Sequence, residues 1–103
     1  MSLENTVAVV TGGGSGIGRA CAIQLARDGA AVAVWDLNAK NAAETVRLVQ
    51  SAGGKAAAYV GDATDPGAIS QTLAAIRADL GPVLILVNNA GISHFKKIGR
   101  AHV

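Results

Sequence analysis

Thr6-Val7-Ala8-Val9-Val10-Thr11-Gly12-Gly13-Gly14-Ser15-Gly16-Ile17-Gly18 is the stretch that decides the fold. Thr6 to Val10 is a short apolar, β-branched run of the kind that forms a strand buried on both faces. Five glycines then fall within the seven residues 12 to 18. A plain strand-to-helix turn needs fewer. A turn that lays its backbone against a pyrophosphate needs them, because glycine permits positive φ and close approach, and the following helix offers free N–H groups and the positive end of its dipole. Gly12, Gly16 and Gly18 read as G-x-x-x-G-x-G. The G-x-G-x-x-G spacing fails, since Ile17 or Arg19 stands where its last glycine belongs, and no Gly-Lys-Ser/Thr of a Walker A loop follows.

Working outward, Ile17, Cys21 and Leu25 recur every four residues among polar Arg19, Gln24, Arg27 and Asp28, which predicts a helix from Gly16 with Gly29 as its C-cap. Ala31 to Trp35 repeats the strand pattern and closes on Asp36. Asn38 caps a second helix running through Ser51, with Gly53-Gly54 behind it, and Ala56 to Val60 reads as a third strand. Asp65-Pro66 is an N-cap and N1 pair opening a third helix to about Leu80, and after Gly81-Pro82 the run Val83 to Val87 is a fourth strand. Strands alternating with helices mean right-handed βαβ units. The expectation is an α/β fold, a truncated, doubly wound Rossmann arrangement of four parallel strands in the order 3-2-1-4 with helices on both faces.

Composition narrows the function classes. The 103 residues carry 9 Lys and Arg against 7 Asp and Glu, a net charge of +2, which is too weakly basic for a nucleic-acid footprint. With 3% aromatic residues, the core must come from closely packed Ala, Val, Ile and Leu. The single Cys21 excludes an internal disulfide and a thiolate zinc site, and sits on the apolar stripe as a packed small hydrophobe. His94 and His102 have no partner at ligand spacing, so no metal is expected. No apolar run is long enough to span a bilayer and the amino terminus lacks signal-peptide features, so a cytoplasmic chain without a membrane partner is expected. Lys96-Lys97 reads as a solvated pair, and Arg19 as a solvent-facing side chain in preference to one that approaches the diphosphate.

Asp36 lies eighteen residues after Gly18 at the end of the second strand, where a carboxylate accepts both hydroxyls of an adenosine ribose. A 2′-phosphate there meets like charge, so NAD is favoured over NADP. A methyltransferase using the same ribose logic is disfavoured, because Thr11 precedes the glycines and the loop carries no acidic residue. Asp62 follows the third strand and Asn88-Asn89-Ala90-Gly91 the fourth.

With T-G-G-G-S-G-I-G, the strand-end Asp36, Asp62 and N-N-A-G, the chain resembles the short-chain dehydrogenase/reductase family over residues 5 to 93. The resemblance implies that Gly12, Ser15, Gly16, Ile17 and Gly18 line the cofactor diphosphate, Asp36 the ribose and Asp62 the adenine amino group. It implies further that Asn88, Ala90 and Gly91 pass under the cofactor. Family members carry a serine, and a tyrosine followed four positions later by a lysine, after the fourth strand. Here the only tyrosine, Tyr59, falls in the third strand with Ala63 four positions on. No catalytic residue is therefore assigned.

The expectation is an amino-terminal piece of an NAD-dependent oxidoreductase acting on an alcohol or carbonyl substrate, inactive alone and without the family's homo-oligomer. The alternative is a stand-alone, non-catalytic nucleotide-binding module. Ile98-Gly99-Arg100-Ala101-His102-Val103 matches one reading frame of a widely used sequencing-library adapter (ATC GGA AGA GCA CAC GTC). Residues 1–96 are accordingly read as a partial NAD-binding domain and 97–103 as a non-native tail, an expectation that the codons of the gene decide.

Overall fold

The computed structural model describes residues 2–89. The tail reading and the assignments to Ala90 and Gly91 lie outside the described residues. Within them the chain runs β1 (Val7–Thr11), α1 (Gly16–Arg27), β2 (Ala31–Asp36), α2 (Ala39–Ser51), β3 (Lys55–Val60), α3 (Pro66–Leu80) and β4 (Val83–Asn88). The strands form one parallel sheet in the order β3-β2-β1-β4, the doubly wound arrangement expected.

Local signals place the elements. The Asn38 side chain accepts from the Asn41 amide at 2.9 Å and so caps α2, while the Asp65 side chain accepts from the Gly67 amide at the start of α3, with Pro66 at N1. Both bonds satisfy amides that the first helical turn leaves without an internal partner. β1 starts one residue later than its apolar pattern suggests. Asn5 takes a φ of +63°, and the Thr6 amide donates to the Leu3 carbonyl at 3.0 Å, which holds Thr6 in a turn.

Alternation along the strands divides the core. Ala8, Val10, Val32 and Val34 face α1 and α2, where Cys21 and Leu25 pack against them. Val7, Val9, Ala33 and Trp35 face α3 through Ile76. Small side chains do most of this filling, as the composition requires, but Trp35 is an exception. It is 2% exposed, and its indole N–H donates to the Gly61 carbonyl at 3.1 Å, so the one tryptophan anchors the α3 side of the sheet.

α3 does not cover β4. Leu86 pairs with Val9 and therefore points to the α3 face, yet Leu86 is 59% and Leu84 69% exposed. Both lie on the edge strand of the sheet formed by the described residues, where apolar side chains favour pairing between chains. Replacing both leucines with lysine is expected to shift the chain toward monomer in light-scattering chromatography, with little change in stability because neither side chain is buried. An unchanged size distribution would contradict this.

Candidate functional site

Among the described residues, those singled out in the sequence for ligand chemistry gather at the carboxyl ends of the strands, where open α/β sheets bind ligands. β1 passes into the glycine turn through Thr11. Its hydroxyl faces the Asn88 Oδ1 at 3.1 Å and the Val87 carbonyl at 3.3 Å, joining the ends of β1 and β4. Gly12 takes a φ of +65° and Gly16 of +55°, a backbone state that suits glycine and strains other residues. Gly18 is fixed by contact instead. A Cβ there would fall on the Gly12 carbonyl, so only a glycine lets α1 approach β1 this closely.

The start of α1 leaves its first amides outside the helical ladder. Ser15 occupies the N-cap with its hydroxyl making no cap bond, and the first helical bond runs from the Arg19 amide to the Ser15 carbonyl at 3.2 Å. The amides of Gly16, Ile17 and Gly18 therefore precede the helical ladder, and the first turn carries no acidic side chain. Ile17 was read from its spacing as part of the apolar stripe. It is 75% exposed, because this first turn stands beyond the end of the sheet.

Asp36 is joined to the same turn. Its Oδ2 accepts from the Gly14 amide and its Oδ1 from the Asn38 amide, both at 2.9 Å. A carboxylate offers roughly four acceptor directions, so after two backbone bonds about two are left for hydroxyl donors. Exposed Leu37 follows it, and exposed Val60 is its register partner on β3. Asp62 lies just beyond, its Oδ1 accepting from the Thr64 amide at 2.8 Å and hydroxyl at 2.6 Å.

Three further residues bond the glycine loop, and the sequence assigns none of them a place in the site. Arg19 is not solvent-facing. Its Nη2 donates to the Gly14 carbonyl at 2.6 Å and its Nε to the Thr45 hydroxyl at 2.9 Å, drawing it across the loop. Thr45, fully buried on α2, donates to the Gly13 carbonyl at 2.9 Å. Asn89 donates through Nδ2 to the Gly12 carbonyl at 3.3 Å. Thr45 had a legible signal, a hydroxyl in the stripe Ala42, Thr45, Val49 that α2 buries.

Tyr59 is occupied elsewhere. Its hydroxyl donates to the Asp79 Oδ2 at 2.8 Å, and burial, then the bond to Asp79 and its charge, push its pKa up to about 12. The folded state thus keeps the proton that the unfolded chain loses near 10. This contribution to stability is whole below about pH 10 and is lost as pH rises toward about 12. Denaturant titrations across that window are expected to show a fall in stability that Tyr59→Phe flattens. An identical slope in the variant would contradict it.

Residues 6–102 match the short chain dehydrogenase family. The chain belongs to that family. Among its curated relatives, the short-chain dehydrogenase/reductase homolog YusS of Bacillus subtilis is 44% identical over 94 residues, covering 90% of this chain and 86% of the relative. Longer curated relatives are spanned to only 30–39% of their length. Of the solved structures, a hydroxysteroid dehydrogenase from Escherichia coli superimposes with a TM-score of 0.82 at 40% identity, over 84% of this chain and 37% of that one. A candidate D-mannonate oxidoreductase from Haemophilus influenza, solved with bound NAD, gives 0.79 at 33% identity, over 82% and 30%. The Rossmann-like fold is thus common to this short-chain dehydrogenase family member and its structural neighbours. Among the described residues, no helix is long and apolar enough to cross a membrane.

Proposed function

We propose that the chain provides the dinucleotide half-site of an NAD-dependent oxidoreductase acting on a hydroxyl or carbonyl group. One observation carries the reading: the Gly14 amide meets the Asp36 carboxylate at 2.9 Å, which joins an anion-binding turn to a ribose acceptor in one unit. The residues fit the cofactor, since the loop carbonyls are tied inward and the amides of Gly16 to Gly18 are left at an open helix start. In this reading those amides and the Ser15 hydroxyl take the diphosphate oxygens. Asp36 takes the ribose hydroxyls and repels a 2′-phosphate, Asp62 accepts from the adenine amino group, and Asn88 lines the cofactor from the end of β4, a role the family resemblance extends to Ala90 and Gly91. Bound NAD supplies the ring that accepts hydride.

Proton transfer to or from the substrate oxygen needs a positioned acid or base. Tyr59, held by Asp79 within β3, is not placed for it. The expected outcome for the purified 103-residue chain is an upward shift in melting temperature with NAD and no NADH formed from secondary alcohols. Absence of a shift at saturating NAD would sink the half-site, and turnover would show that a proton relay is present after all.

A second reading, a non-catalytic nucleotide-binding module, is favoured by the Bacillus subtilis homolog, of which this chain spans 86%. A monodisperse monomer that melts cooperatively and binds NAD in the micromolar range supports the module. An aggregating chain with weak NAD binding supports a piece of a longer enzyme.

A further inference from the structure

A loop made of glycines has no side chains to decide which way its peptide planes face, and a plane turned the wrong way presents a carbonyl to an anion instead of an N–H. We propose that Thr45 and Arg19 are positioning residues that fix these planes, so that the loop turns its carbonyls toward the protein. The purpose of this arrangement rests on the dinucleotide reading above, but the arrangement is testable without a ligand.

Three successive peptides are held. In the first, the Gly12 carbonyl accepts from Asn89 at 3.3 Å while the Gly13 amide donates to the Trp35 carbonyl at 3.2 Å. In the second, the Gly13 carbonyl accepts from the Thr45 hydroxyl and the Gly14 amide donates to Asp36, both at 2.9 Å. In the third, the Gly14 carbonyl accepts from Arg19 at 2.6 Å. A flip of the second peptide breaks both of its bonds and turns its carbonyl toward the Asp36 carboxylate, so Thr45 and Asp36 hold one plane from opposite ends.

Thr45 is the centre of the arrangement. Its hydroxyl has one proton, given to Gly13, and its oxygen accepts from the Arg19 Nε at 2.9 Å. Donors chained in this way polarise and strengthen one another. Arg19 reaches the loop, Thr45 and, at 3.4 Å, the Asn41 carbonyl, so one guanidinium links α1, α2 and the turn between β1 and α1. Lysine has no fork to replace it. Thr45 has no exposed surface, so its hydroxyl serves no ligand directly.

The test is amide hydrogen exchange of the unliganded 103-residue chain at Gly13 and Gly14, beside NAD titration calorimetry, for wild type, Thr45→Val, Thr45→Ser and Arg19→Met. Loss of the hydroxyl is expected to raise exchange at Gly14 about tenfold relative to amides in β2 and to weaken NAD by a similar factor. Thr45→Ser, which keeps the hydroxyl, is expected to restore both. Arg19→Met, less buried and safer for folding, is expected to act in the same direction. Exchange at Gly14 unchanged in both Thr45→Val and Arg19→Met would overturn the proposal. A wild-type chain that shows the exchange contrast but binds no NAD supports the anchoring of the loop and overturns the cofactor reading instead.

Discussion

Gly18→Ala is expected to remove NAD binding and to lower stability together, by about 1–3 kcal/mol for an overpacked contact. The added Cβ falls on the Gly12 carbonyl, lies 2.7 Å from the Gly12 carbonyl carbon and 3.0 Å from Asn89 Nδ2. Backbone on the β1 side cannot yield as a side-chain tip can, so α1 must move away from the sheet or the turn must open. Either movement displaces the amides that face the diphosphate in the proposed site. Gly18→Val enlarges the same clash. A contact made to backbone puts the loss on folding as well as on binding. Thermal melts and NAD titration of both variants check this, and a Gly18→Val chain with wild-type melting and wild-type NAD binding would contradict it.

Asp36→Ala is expected to weaken NAD by about 1–3 kcal/mol, the range for hydrogen bonds to a charged acceptor, and to narrow the gap between NAD and NADP. Two causes act at once. The ribose hydroxyls lose their acceptor, and the Gly14 and Asn38 amides lose theirs. Relief of repulsion against a 2′-phosphate is therefore offset by a looser loop, and the variant is expected to gain less NADP affinity than it loses for NAD. Asp36→Asn keeps an acceptor oxygen and is expected to fall between the two. Calorimetry with both cofactors separates these outcomes. An Asp36→Ala chain with undiminished NAD affinity would remove the residue from the site.

What could be read in the sequence was local. Asn38 and Asp65-Pro66 carry their capping chemistry within three residues, so α2 and α3 begin where the pattern puts them. Given the doubly wound order 3-2-1-4, right-handed crossovers put α1 and α2 on one face and α3 alone on the other, and with that go the exposures of Leu84 and Leu86. The glycine turn and Asp36 were legible because each residue type has few other uses in that place. The partners of Arg19, Thr45 and Asn89 were not, because each bonds a backbone carbonyl in the glycine loop, which leaves no mark in the sequence; for Thr45 the sequence shows only a hydroxyl in the buried stripe of α2. Ile17 misled for a related reason: helical period is continuous across residues 17, 21 and 25, while the sheet that would bury them ends before the first.

In the proposed site one turn and one carboxylate together select NAD over NADP. Isothermal titration of the wild-type chain with the two cofactors under the same conditions decides this. Saturable binding of NAD, with NADP bound at least about tenfold more weakly, is the predicted result, a difference of about 1.4 kcal/mol. Equal or tighter binding of NADP would contradict the assignment of Asp36 and the reading built on it.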